Sequence, residues 1–392
     1  MKRIILFLIV LISVGYGQSA YYRLGYGDVF PTVDAFESSV GEGAVAWQDS
    51  SRFTTRNPAA LAGLKRVYFS SSLGSEFKLV SESITNNTRL ERLAIALPVG
   101  DKIGISLGAQ ATADFETEYE SILEDGTLNE SSQGGIWDYH LGLGYGITPY
   151  FSLGVKFHLL QGAFRRESNM LATDINELYV LRGDISGKSL ELGLLTHLGG
   201  KVSLGLTTDI PYQTPLFEGR DSLAGTDDYV ELSEELKAWP ATIKVGVVYH
   251  HSKTTKYVAG ISQQIFSADG FDDSRIFVLP AGWQTVPVAL VQLSTVHLAP
   301  DHGSRSWLKR TGWQAGVSVK NYYLASSTDK LISEIAIISG LNLRLRNGRS
   351  LFDISSELGT RRGDDSLPEE LFARIKLGIQ VNDIWFRKVK RR

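Results

Sequence analysis

The chain has 392 residues, 43% of them hydrophobic, and a formal net charge of −3 at pH 7; so balanced a charge carries no electrostatic footprint for nucleic acid. The absence of cysteine excludes a disulfide framework, thiol catalysis and cysteine-built zinc sites. With 39 glycines, 16 tyrosines, 17 phenylalanines and 7 tryptophans against 11 prolines, the composition favours a β-rich chain.

Lys2 and Arg3 precede an apolar run from Ile4 to Val14 and then small residues, which reads as a signal peptide over 1–19 cleaved after Gly17 or Ser19. The run is shorter than the roughly 20 apolar residues of a spanning helix, and no apolar run of that length follows. Residues 20–65 are polar and glycine-rich, with two small apolar pieces, VGEGAVAW at 40–47 and NPAALAGL at 57–64. Pro58 biases Asn57 towards extended geometry, and Ala59 to Leu64 suit a short helical turn ending at Gly63.

From residue 66 onwards the period changes to two. In IGISLGAQATA, Ile103, Ile105 and Leu107 alternate with Gly104, Ser106 and Gly108. The same alternation runs through WDYHLGLGYGI at 137–147 and FSLGVKFHL at 151–159. One row is apolar; the other is glycine, hydroxyl or charge, which suits a wet lumen better than a dry sandwich core. Fourteen such segments are predicted, near 66–74, 89–98, 102–112, 135–147, 150–164, 184–198, 200–210, 239–250, 255–267, 285–298, 309–325, 332–346, 350–360 and 369–382.

Tight connections (98–101, Thr148-Pro149, Gly199-Gly200, Asn347-Gly348-Arg349) alternate with long polar ones (113–134, 165–183, 211–238, 268–284). Short turns on one rim and long loops on the other are the layout of an outer-membrane barrel. In lipid an open sheet edge cannot find water, so a spanning sheet must close on itself. The predicted fold class is therefore all-β, a transmembrane antiparallel β-barrel of about 14 strands over 66–386. Residues 20–65 either hang free in the periplasm or fold back into its lumen as a hatch, and 387–392 form a solvated basic tail. Aromatic residues near segment ends, such as Trp137, Tyr145, Tyr150, Phe151, Trp239 and Tyr249, stand where interface girdles belong.

The run GEGAVAWQDSSRFTTRNPAALAGL at 41–64, the strand WPATIKVGVVY at 239–249 and the ending LGIQVNDIWFRKVKRR resemble the FadL-like long-chain fatty acid transporters of Gram-negative outer membranes, the ending looking like their Bacteroidetes-type branch. The resemblance implies passive uptake of hydrophobic compounds through a hatch-gated, monomeric barrel in the outer membrane, with Asn57, Pro58 and Ala59 as the hatch element. It also implies sideways release through a kinked third strand, where Gly104 or Gly108 would permit a bulge. An alternative within the same superfamily is a barrel that binds proteins during secretion and surface attachment; a barrel enzyme is a third.

In that family the first substrate groove lies between the third and fourth outer loops, here 165–183 and 211–238. Ile175, Leu178 and Tyr179 in one, and Leu232, Leu236 and Trp239 in the other, fall at helical spacing and would line it or pack the loops on the rim. Arg344, Arg346, Arg374 and Lys376 form a candidate lumen patch for a carboxylate, or pair with acids such as Glu191, Asp138 and Asp49. His140 and His158 face each other across the Thr148-Pro149 turn and both point to the lumen. With no third ligand evident, they are read as polar lining rather than a metal site. No cofactor is expected, and no Gly-x-Ser-x-Gly, His-Glu-x-x-His or phosphate loop points to catalysis.

Overall fold

The structure, a computed structural model, describes residues 25–26, 28–29, 33–49, 52–80, 83–123, 126–172, 175–224, 229–237, 239–267, 271, 274–277, 279, 282–299, 306–326, 331–345, 349–363 and 369–383. The signal segment, the basic tail, Arg346 and the Asn347-Gly348 turn lie outside them, as does the side chain of Ile175.

Fourteen long strands form one closed antiparallel wall: β1 Val67–Val80, β2 Ser83–Val99, β3 Ile103–Asp114, β4 Gly126–Thr148, β5 Phe151–Ala172, β6 Ile175–Leu198, β7 Val202–Leu223, β8 Ala241–His250, β9 Thr255–Ile265, β10 Val288–His297, β11 Thr311–Ala325, β12 Leu331–Arg344, β13 Ser350–Arg362 and β14 Glu370–Asp383. β14 pairs with β1 from Asp383↔Val67 to Glu370↔Val80, which closes the ring. Each predicted segment corresponds to one of these strands.

The period-two pattern sorts the two faces. Leu107, Leu141, Leu293, Val317 and Ile337 point outward and are half or more exposed, at 57, 54, 54, 50 and 68%. On alternate positions His140, Lys156, Glu191, Thr207 and Gln314 are buried inside the wall. Such a wall is soluble only where its outer row meets lipid, which is the arrangement of a transmembrane barrel. Tyr145, Tyr150 and Tyr249 stand exposed near the short-turn rim, where girdle residues belong; Trp239 instead turns into an apolar cluster at the opposite rim.

That opposite rim differs from expectation. Residues predicted as long polar loops continue as strands: β4 to β7 run 23, 22, 24 and 22 residues, where a membrane crossing needs about 9–11. Two further hairpin strands, Thr117–Leu123 and Tyr229–Glu235, add to the extension. Polar side chains on both faces disguise these segments, because period two marks a strand only where one face is apolar.

Residues 33–49 and 52–64 lie inside the ring. Asp34 caps the short helix α1, Ala35–Val40, its carboxylate accepting from the Glu37 N–H at 2.8 Å. Gly41 ends the helix at φ 82°, a left-handed conformation that favours glycine. Two 3₁₀ turns follow, Glu42–Ala46 and Pro58–Gly63. The second begins as the sequence suggests: Asn57 is extended ahead of Pro58 (φ −141°, ψ 116°), and its side chain accepts from the Ala59 N–H at 2.9 Å.

Candidate functional site: the plug and the split in the wall

The glycine-rich lumen row has a specific use. Gly104, Gly144, Gly154 and Gly193 are cross-strand partners in one row over β3 to β6, and Gly205, Gly246 and Gly260 form another over β7 to β9. The first row receives the Pro58–Gly63 turn: a Cβ on Gly154 would stand 2.2 Å from Ala59 N, and one on Gly104 2.0 Å from Leu61 O. The second receives the Glu42–Ala46 turn, with a Cβ on Gly205 2.1 Å from Val45 O and one on Gly260 2.0 Å from Gly43 N. Plug backbone thus touches wall backbone, which only glycine permits.

Charge fixes the plug from the sides. Arg92 of β2 is fully buried and donates to Asp34 Oδ2 at 2.6 Å, Glu37 Oε2 at 2.8 Å, Thr55 Oγ1 at 2.6 Å and Ser70 Oγ at 3.0 Å. Arg52 makes a two-pronged contact with Asp353 of β13 at 2.9 and 3.0 Å, and Lys256 of β9 reaches Asp49 at 3.3 Å. Inside the plug, Arg56 pairs with Glu42 at 2.9 Å. Asn57 donates to Val45 O at 2.7 Å and Leu194 O at 2.9 Å. Asn57, Pro58 and Ala59 are therefore packed and hydrogen-bonded at the short-turn end of the lumen.

Cavities of about 60 and 140 Å³ flank the Glu42–Arg56 pair; Glu76, Glu91 and Arg374 line the smaller, and Asp138, Lys156 and Glu191 the larger. These spaces suit a few waters rather than an apolar guest.

The candidate basic patch is divided and neutralised. Arg374 contacts Glu76 and Glu334 at 2.7 Å each and Glu357 at 3.3 Å, and Lys376 contacts Glu91 at 2.7 Å. These are not the acids suggested by the sequence: Glu191 pairs with Lys156 and Asp49 with Lys256. Arg344 pairs with Leu351, six residues along β13 from the Glu357 opposite Arg374, roughly 20 Å away at strand rise.

The predicted groove is divided too. Leu232, Leu236 and Trp239 join an apolar cluster at the tall rim with Phe115, Phe164 and Phe277. Leu178 and Tyr179, adjacent in a strand rather than at helical spacing, lie near the tip of the β5–β6 hairpin, where the Tyr179 hydroxyl donates to Glu177 at 2.8 Å. What sequence reasoning missed is Tyr26, which is buried in this cluster with ring centroids 4.6 Å from Phe271, 5.1 Å from Phe277 and 5.9 Å from Trp239. Nothing local in GYGDV marks it; its aromatic ring in a polar segment is the sole signal.

Beside Tyr26 the wall divides. The β2–β3 ladder runs from Val99↔Ile103 to Arg92↔Gln110 and stops. Beyond it, Ala113 and Asp114 of β3 pair with Val29 and Asp28 of the N-terminal segment. Side chains bridge the gap, Asn87 donating to Asp114 Oδ2 at 2.7 Å and Arg89 approaching it at 3.6 Å. The irregularity in the third strand falls between Ala111 and Ala113 on the β4 side, whereas Gly104 and Gly108 sit in regular ladder, under Leu61 and the His140 ring.

A closed antiparallel wall with a lipid-facing exterior and a plugged polar interior defines a transmembrane β-barrel with an internal plug. The chain matches the BamG family over residues 1–391 and belongs to it. Its fold is similar to that of a Pseudomonas aeruginosa FadL homologue (10% identity, TM-score 0.62, covering 91% of this chain and 99% of that one). It is also similar to the Pseudomonas putida toluene transporter TodX (13%, 0.59, 89% and 99%) and to the CymD monoaromatic hydrocarbon channel (13%, 0.59, 94% and 100%). No curated protein sequence matches the chain.

Proposed function

We propose that the chain is an outer-membrane channel for hydrophobic compounds, entered at the apolar cluster on the tall rim and left sideways through the β2–β3 split, with Tyr26, Asp28 and Val29 as the moving stopper. The observation that carries this reading is the pairing of Asp28 and Val29 with β3 where β2 has left it, two residues from a tyrosine in the apolar cluster. The charged lower lumen offers an apolar guest no path, so release towards lipid is the downhill direction. The toluene and monoaromatic channels of like fold supply the substrate class. Asn57, Pro58 and Ala59 act as the anchor of the hatch, not its gate.

The chain contains no cysteine, so a Val29→Cys/Ala113→Cys pair is a clean lock. Antiparallel partners stand at about 4.5–5.5 Å between Cα atoms, within disulfide reach. Uptake of a radiolabelled aromatic hydrocarbon or fatty acid by proteoliposomes should fall at least about tenfold on oxidation and return with reductant, since covalent closure removes the exit. Equal uptake in both redox states would sink the lateral route.

A second reading, a barrel that binds a protein partner, is favoured by the β4–β7 extension, whose length exceeds a membrane crossing. Absence of uptake by the wild-type chain, with a partner retained only when the extension is intact, would select it.

A further inference from the structure

Among the described residues, outside the stopper and the ion pairs that hold the plug, one cluster of metal-binding side chains stands beside the larger lumen cavity, which Asp138 and His158 line. His140 and His158 are direct cross-strand partners on β4 and β5, and Asp138 lies two residues before His140 on the same inward row. The three are 2, 4 and 3% exposed. One ligand atom from each can be chosen so that all lie within 4.8 Å of one another. Asp138 Oδ2 is 2.8 Å from His158 Nδ1 and 3.7 Å from His140 Nδ1. Donors bound to a tetrahedral ion at about 2.0–2.1 Å are separated by about 3.3 Å, a spacing that these two distances bracket.

A second observation points to a ligand. Neither ring nitrogen of His140 has a hydrogen-bond partner, and neither does Asp138 Oδ1, although all are buried. A buried polar group left unpaired costs about 1–3 kcal/mol, so a histidine kept here without partners calls for an occupant. The ring sits where it does because residue 108 is glycine: a Cβ there would come within 2.6 Å of His140 Nε2. Charge agrees. Lys156 Nζ is matched by Glu191 Oε2 at 2.5 Å and also donates to Thr55 O at 2.8 Å; Glu191 Oε2 is 3.3 Å from His158 Nε2 and Asp138 Oδ2 accepts from Gln110 Nε2 at 2.9 Å, which leaves Asp138 Oδ1 for a cation. The adjoining cavity of about 140 Å³ has room for a water as a further ligand.

We propose that Asp138, His140 and His158 form a binding site for a divalent transition-metal ion of the zinc type, inside the barrel and against the plug. Two imidazoles and a carboxylate are borderline donors that suit zinc, cobalt or nickel rather than magnesium or calcium. Binding displaces the direct His158–Asp138 hydrogen bond and gives His140 its missing partner. It ties β4 to β5 beside Lys156, which holds Thr55 of the plug.

The test uses the full-length untagged chain folded in detergent and stripped with EDTA. Zinc chloride titrated by calorimetry should bind one equivalent with a site that His140→Gln weakens at least about tenfold, since one of three protein ligands is gone. Zinc should raise the thermal midpoint of the wild type but not of His140→Gln. Because His140 makes no hydrogen bond in the apo arrangement, the substitution leaves apo stability nearly unchanged, as heat-modifiable gel mobility would report. Zinc affinity equal in wild type and variant, or no stoichiometric zinc, overturns the proposal. If the variant fails to fold, X-ray absorption of the zinc-loaded wild type decides: two imidazole nitrogens and a carboxylate oxygen at about 2.0 Å support it, and an all-water shell refutes it.

Discussion

Replacing Gly154 by valine is expected to unseat the plug. A Cβ at that position would stand 2.2 Å from Ala59 N and from Pro58 C. Both are backbone atoms, so no rotamer change relieves the contact. The plug turn must lift from β5, and Asn57 must give up its bond to Leu194 O. Overpacking against a rigid neighbour costs about 3 kcal/mol, the upper end of its usual range, or on the order of a hundredfold in the fraction of unseated plugs. Influx of a small hydrophilic solute into proteoliposomes, and protease cleavage within 33–64, should both rise accordingly. Gly146→Ala is the matched control: its Cβ would meet Ala62 Cβ at 3.7 Å, an ordinary contact, and should change neither readout. A tight, protease-resistant Gly154→Val protein would mean that the glycine row does not seat the plug.

Arg92→Met should be nearly as damaging, for an electrostatic reason. The substitution preserves the stem but strands Asp34 and Glu37, which are 5 and 0% exposed, without the guanidinium that both accept from. Removing one member of a buried ion group costs about 3–5 kcal/mol because the remaining charge cannot reach water. The thermal midpoint for loss of plug protection should drop sharply. Combining Arg92→Met with Asp34→Asn and Glu37→Gln should recover much of it, as the neutral triple variant strands no charge, and asparagine still caps α1. Failure of the triple variant to recover would assign the loss to shape rather than charge.

These two sites differ in how visible they were beforehand. Gly144, Gly154 and Gly193 can each be assigned to the lumen row from period two, since alternation puts them opposite Leu143, Val155 and Leu192. That they align with one another and with Pro58 depends on cross-strand register, which a list of strands does not contain. Arg92 falls on the polar row of its strand, yet its partners Asp34 and Glu37 lie 58 and 55 residues away, and nothing local selects them. The candidate groove residues are separated for a different reason: Leu232 lies in a hairpin strand, Leu236 and Trp239 follow it in a turn where the Trp239 N–H donates to Leu236 O at 2.9 Å, and Leu178 and Tyr179 sit near the tip of another hairpin. Asp138 is the reverse case. Period two puts it beside His140 on the lumen row, so a third donor near the two histidines was present in the sequence.

By itself the sequence determined the wall. Alternation of side chains is built into each strand by local backbone geometry, and an apolar row with no cysteine, no spanning helix and fourteen repeats leaves a closed barrel as the stable outcome in lipid. Only the tertiary structure decided where the described parts of the N-terminal segment, 33–49 and 52–64 above all, lie in the ring and which partners hold them. Arg52 finds Asp353 across 301 residues, and Val29 finds Ala113 where β2 leaves the ladder. Such contacts follow from how the closed ring sets strand heights against one another, a global constraint that no single stretch of chain encodes.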